Sequence, residues 1–204
     1  MKPLRILLLA TLVAVTARAG ADDCIAMIGT GSVGGALGPR FAGLGERIVY
    51  GSRTPEAERI AALVERTGAG TQALAPDAAA RACNTIVLAV PWFAVEATVK
   101  SFGDLAGKLI VDVTNPLSFR DNIVVGAEVP ANSGAEFIQS LAPGARVVKA
   151  FNTIYYTVMA VPETAGGSVS VLISGDDAAA KARVAKLASG IGFQPIDVGP
   201  LRTA

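Results

Sequence analysis

Six residues after a short apolar run narrow the fold before anything else is considered. Cys24-Ile25-Ala26-Met27-Ile28 leads directly into Gly29-Thr30-Gly31-Ser32-Val33-Gly34, and a helical pattern follows over 33–44. Strand, glycine loop and helix in that order open a dinucleotide-binding βαβ unit. Gly29 permits the tight turn, Gly31 lets the main chain approach a pyrophosphate, and Gly34 lets the helix lie close to the sheet. Thr30, Ser32 and Val33 complete the loop, whose free N–H groups at the helix start attract an anion.

The alternation continues along the chain. Apolar runs recur at 47–50, 85–90, 109–113, 146–150, 168–173 and 193–198, with a weaker edge strand at 71–74. Helical patterns lie between them near 55–67, 76–82, 92–101, 133–141 and 177–189. Thr54-Pro55-Glu56 reads as an N-cap followed by proline at the first helical position. Such alternation predicts a Rossmann-type, doubly wound α/β domain. Its sheet is mostly parallel, with helices on both faces and strand order 3-2-1-4-5-6. Gly38-Pro39 falls inside the first helix and predicts a kink there. With 204 residues, no second domain of a hundred residues fits beside this one.

Composition excludes whole classes of chemistry. The chain has no histidine, which removes histidine triads, proton shuttles and histidine metal clusters. Two cysteines cannot build a zinc or iron–sulfur site. No metal is expected, and no side chain stands out as catalytic; the chemistry falls to a bound cofactor. Basic and acidic residues number 18 and 17 with no basic run, so nucleic acid is not expected as a partner.

The second strand identifies the cofactor. NAD sites end this strand in an acid that binds the ribose hydroxyls. Here it ends Tyr50-Gly51-Ser52-Arg53-Thr54, with Arg53 nineteen residues beyond Gly34 and no acid at that place. A carboxylate would repel a 2′-phosphate, whereas Ser52 and Arg53 offer charge-assisted hydrogen bonds to it. NADP(H) is therefore expected.

The first twenty-one residues stand apart from residues 22–204. Lys2 and Arg5 precede the apolar run 6–15, and Ala19-Gly20-Ala21 fits a small-residue cleavage site. That is the form of a secretory signal peptide, predicting a periplasmic or secreted protein. The alternatives are an uncleaved anchor or a misassigned start ahead of a cytoplasmic enzyme. No other apolar run is long enough to span a bilayer, so no stable membrane span is expected.

The ordered set Gly29–Gly34, Gly51-Ser52-Arg53, Ala89-Val90-Pro91-Trp92, Asp112-Val113-Thr114-Asn115-Pro116 and Gly199-Pro200-Leu201 resembles the NADPH:coenzyme F420 oxidoreductase family. Val147–Ile154 is also similar to the cytosolic reductase domain of STEAP metalloreductases. The resemblance covers residues 24 to 201. It implies hydride transfer between NADP(H) and a deazaflavin (coenzyme F420) or flavin acceptor. It implies too that Val90, Pro91 and Trp92 line the cofactor and that Asn115 and Asn152 flank the nicotinamide pocket. Family members usually continue into a further helical segment, which bears on the acceptor site and on a homodimer contact. A non-catalytic NADP-binding module and a reductase subunit completed by a partner chain remain as alternatives.

Hydride transfer needs orientation and no strongly perturbed acid. Tyr155, Tyr156 and Lys149 could donate a proton in another reduction, but they read first as packing and a solvated amine. The two cysteines fall at the same sheet edge, opposite the cofactor. Cys24 lies five residues before Gly29 and Cys83 six before Ala89, on strands that should be neighbours. Adjacent strands sit about 4.8 Å apart, inside the roughly 4.4–6.8 Å window of a disulfide. An oxidising compartment could close that bridge; two separate buried thiols are the reading the sequence favours.

Overall fold

The computed structural model describes residues 22–121 and 123–204. The signal-like segment 1–21 lies outside the described residues.

Strand β1 (Asp22–Ile28) leads through the glycine loop into α1 (Ser32–Ala42), and β2 (Arg47–Gly51) follows. Next come α2 (Glu58–Thr67), β3 (Gln72–Leu74), α3 (Pro76–Ala82), β4 (Cys83–Leu88), α4 (Trp92–Ser101) and β5 (Leu109–Asp112). A two-stranded ribbon, β6 (Leu117–Arg120) and β7 (Ile123–Gly126), precedes α5 (Gly134–Leu141) and β8 (Arg146–Lys149). The chain finishes with α6 (Tyr156–Ala160), β9 (Ser170–Gly175), α7 (Ala178–Gly190) and β10 (Gln194–Gly199).

Eight strands form one sheet in the order β3-β2-β1-β4-β5-β8-β9-β10. The period-two alternation of β1 divides the core. Ile25 and Met27 pack with Leu37 and Phe41 of α1 and Val184 and Leu187 of α7. Ala26 and Ile28 pack with Ala79 of α3, Val95 of α4 and Ile138 of α5. Both faces of the central strands are therefore covered, as a doubly wound sheet requires.

The sheet is parallel from β3 to β8, but β9 pairs with β8 antiparallel, Lys149 opposite Ser174. β10 then follows β9 in parallel. Between β8 and β9 the link holds only the five-residue α6 and a short 3-10 turn, Pro162–Ala165. It has no full-length crossover helix to carry the chain back across the sheet, so the next strand returns in the opposite direction.

Helix α2 begins at Glu58, with Ala57 at its N-cap, three residues later than Thr54-Pro55 suggested. Thr54–Ala57 is instead a turn closed by the Ala57 amide on the Thr54 carbonyl at 3.1 Å. Threonine and proline suit the start of such a turn as well as the start of a helix. Gly38-Pro39 also finds its reason. A Cβ at Gly38 would stand 2.1 Å from Tyr50 Oη, so only glycine lets α1 lie on that buried ring. Pro39 stays within α1, and the Gly35 carbonyl, which its missing N–H would have capped, accepts from Arg66 Nη2 at 3.1 Å.

The cysteines are joined. Cys24 and Cys83 form a disulfide with their Cα atoms 5.0 Å apart, which corrects the reading of two separate thiols. The regular β1–β4 register pairs Ile25 with Thr85, which would set Cys24 beside Asn84 and turn Cys83 to the other face. A register shift between Asp22 and Ile25 pairs Asp22 with Cys83. That single extra residue brings both sulfurs into one apolar layer, where both cysteines are buried.

Candidate functional site: a cleft at the carboxyl ends of the strands

A cleft of about 840 Å³ opens where β1, β2, β4 and β5 end. Its floor is the glycine loop, and the three glycines meet three different demands. Gly29 has φ +106°, and a Cβ there would lie 2.2 Å from the Ala89 carbonyl oxygen. At Gly34 a Cβ would lie 1.9 Å from the Gly29 carbonyl oxygen, so this glycine lets the helix close on its own loop. A Cβ at Gly31 meets nothing within 4 Å and would occupy open cleft. Gly31 is also the N-cap of α1, with no side-chain cap and no acidic residue in the first turn. The first amides of α1 are thus left without a side-chain acceptor beside an open space, the condition for anion binding. Thr30, Ser32 and Val33 line the same space.

One end of the cleft is cationic. Ser52 is buried: its amide donates to Leu74 O at 2.9 Å, and its hydroxyl accepts from the Thr54 amide at 3.2 Å. Arg53 and Arg59 both line this end, and no carboxylate does so among the described residues. Arg59 reaches Thr30 Oγ1 and Thr54 Oγ1 at 3.4 Å each, contacts too long to hold its guanidinium firmly. Sequence reasoning missed Arg59. Because α2 starts only at Glu58, this arginine falls in its first turn, over the mouth of the cleft.

The other end is built from the ends of β4, β5 and β8. Val90, Pro91 and Trp92 line it, Pro91 being the N-cap of α4. Trp92 Nε1 donates to Glu128 O at 3.3 Å, and its ring lies 5.8 Å from that of Phe137. Asn115 lines the cleft, whereas Asn152 stands behind it: Asn115 Nδ2 donates to Asn152 O at 2.8 Å, and Asn152 Nδ2 to Asn115 Oδ1 at 3.3 Å. The fold therefore brings eleven of the thirteen expected site residues to the cleft wall, with Gly34 and Asn152 directly supporting it.

Beneath the two asparagines lies a buried polar group. Lys149 Nζ donates to Asp112 Oδ2 at 2.9 Å and to the Thr114 carbonyl. Asp112 Oδ1 accepts from the Thr114 amide at 2.8 Å and from its hydroxyl at 2.7 Å. Lys149 is thus a buried ion-pair partner and not a solvated amine. The next turn is strained: Phe151 has φ +63°, a conformation costing an L-residue roughly 1–2 kcal/mol. Its buried ring is gripped edge-on by Phe41 and Phe193, at 6.2 and 6.0 Å. Tyr155 and Tyr156 stack on each other at 4.7 Å and do not line the cleft. The hydrogen bond from its neighbour raises the Tyr155 phenol above its usual range, which makes it a poorer acid.

Comparison with known proteins agrees with this construction. The family profile "NADP oxidoreductase coenzyme F420-dependent" matches residues 24–116. The F420-dependent NADP reductase of Methanothermobacter thermautotrophicus is 33% identical over 199 residues, covering 88% of this chain and 82% of the relative. Rat metalloreductase STEAP3 is 33% identical over 181 residues, 88% of this chain, but the chain spans only 34% of its length. The crystal structure of an Arthrobacter sp. FB24 protein assigned as an F420-dependent NADP reductase superposes with a TM-score of 0.81 at 34% identity. That match covers 89% of this chain and 87% of the other. Glycine cradle, arginine-lined cleft and similarity over most of both chains together place this protein in the coenzyme F420-dependent NADP oxidoreductase family.

Proposed function

We propose that the chain uses NADPH to reduce a deazaflavin or flavin, transferring hydride between two planar rings held in the cleft. The observation that carries this reading is the cleft itself, with two arginines and, among the described residues, no carboxylate at one end, and the side-chain-free Gly31 in the middle. In it the amides of Ser32, Val33 and Gly34 hold the pyrophosphate. Ser52, Arg53 and Arg59 surround the 2′-phosphate, where paired charges reject NADH by leaving the guanidinium groups without their anion. Val90, Pro91 and Trp92 wall the cofactor, and Asn115, backed by Asn152, faces the nicotinamide. Bound NADPH supplies the hydride; the protein's own work is to bind, orient and exclude water, and no side chain needs to move a proton. A chain without histidine loses nothing in such a reaction.

We further propose that the protein works in an oxidising compartment. The buried Cys24–Cys83 disulfide supports this reading, since such bridges are rare where thiols are kept reduced. It fits the signal-like segment 1–21 better than a cytoplasmic location.

Titration of the protein with NADPH and with NADH, followed by addition of coenzyme F420, FMN or a ferric chelate, tests the reaction. Tight NADPH binding with oxidation on adding F420 or FMN is expected. Binding without turnover by any acceptor would reduce the protein to a nucleotide-binding module. Cell fractionation tests the compartment.

A further inference from the structure

Lys149 and Asp112 form a buried ion pair that no step of the proposed hydride transfer uses. Their exposure is 7% and 0%, so both charges have left water. Burial of that kind seldom favours stability over an apolar pair of the same size, so the pair is poorly explained as a stabilising contact alone. The pair does not sit in the middle of the core. It joins the last residues of β5 and β8, the two strands whose ends carry Asn115 and Asn152. Among the described residues, every further side-chain bond of the pair goes to one residue, Thr114: its carbonyl, its amide and its hydroxyl are all engaged. Thr114 lines the cleft and is followed at once by Asn115. On the other strand, two residues after Lys149, comes the strained Phe151, which turns the Asn152 carbonyl toward Asn115 Nδ2. The two strand ends are thus tied twice, by the ion pair below and by the asparagine pair above.

We infer that Lys149 is a positioning residue of the nucleotide site. Through Asp112 and the Thr114 main chain it sets where Asn115 stands, and so orients the nicotinamide half of NADPH without touching it. The inference rests on the nucleotide assignment above and adds a residue to it. The ion pair is remote in sequence from the arginine end, where Ser52, Arg53 and Arg59 act independently of it. Removing it should therefore affect one half of the dinucleotide and not the other.

The test measures the Kd of NADPH and of 2′,5′-ADP, which carries only the adenosine half, together with the fluorescence of bound NADPH. Lys149→Met leaves Asp112 charged and unpaired and can fail to fold. Asp112→Asn/Lys149→Met removes both charges and keeps an acceptor for Thr114. In whichever variant folds, NADPH affinity should fall about tenfold, with 2′,5′-ADP unchanged and the nicotinamide emission of the complex altered. Hydride transfer to F420 or FMN should fall by about a hundredfold, the scale on which misplaced reactants lose rate. Equal losses for both ligands, or no change in NADPH affinity and emission in a folded variant, would overturn the inference. Failure of the wild-type protein to bind either ligand would instead break the nucleotide assignment itself, and the inference with it.

Discussion

Strands β1 and β4 are neighbours along their whole length, yet their two ends are held together in opposite ways. At the amino ends Cys24 and Cys83 are covalently bridged, and Lys108 Nζ caps the Cys83 carbonyl at 2.6 Å. At the carboxyl ends the strands are joined through the main chain, with the Ala89 amide on Ile28 O at 2.8 Å. There Gly29 removes the side chain that would separate them. The closed end sits in an apolar cluster, whereas the open end must leave room for a ligand. Rigid cross-linking is thus placed where it cannot obstruct binding, and the cost of an unlinked edge is confined to where a ligand needs it.

This contrast can be broken at either end. Replacing both cysteines by alanine should cost about 4 kcal/mol of stability, the loop-closure entropy of a bridge spanning 59 residues. NADPH affinity should not change; a denaturant melt paired with a binding titration reads both, and a matching loss of affinity would erase the contrast. The converse is Gly31→Val. Its Cβ meets no protein atom, so folding should be intact, while NADPH affinity falls by two decades or more, about 3 kcal/mol. Thermal unfolding beside the titration checks it, and retained affinity in a folded variant would remove the cradle.

Arg53→Ala sharpens the picture within the open end. It should cost NADPH about 1.5–3 kcal/mol and NADH far less. Arg59→Ala should show the same selectivity more weakly, given its long contacts. Equal effects on the two nucleotides would exclude 2′-phosphate recognition here. The smallest effect lies between the two ends. Tyr50 is buried under α1, and desolvation raises its phenol above 10.0, partly offset by its hydrogen bond with Thr67. A group with a raised folded pKa contributes stability that is complete below the unfolded value and lost as pH climbs through the folded one. Stability should therefore decline above about pH 10, and Tyr50→Phe should flatten that part of its alkaline decline.

The residues that were legible in advance share a physical reason. The glycine loop could be read because the conformations and close approaches it requires admit almost no other residue, and the buried strands because continuous apolar runs admit little else. The strand directions could not, since an apolar run such as Ser168–Ile173 carries no arrow; the short link before it decides that β9 runs backward. The ribbon β6–β7 escaped because its strands are only four residues long and pair with each other apart from the main sheet. Arg59 depended on where α2 begins, and Thr54-Pro55 suits a turn as well as a cap. The disulfide turned on a one-residue register shift that counting from the glycines cannot reveal. Lys149 was misjudged because charge in a sequence says nothing of burial; its partner lies 37 residues away.

The reversal of the last two strands has a practical side. β1 enters the sheet from the edge opposite the cleft, and β10, running antiparallel to it, heads back toward that edge. Had the final strands kept the direction of the others, the chain after Gly199 would have emerged beside the cleft mouth. As built, β1 begins and β10 finishes at the edge away from the nucleotide-facing side. A bulky label attached just beyond β10 should therefore leave the mouth of the cleft unshaded.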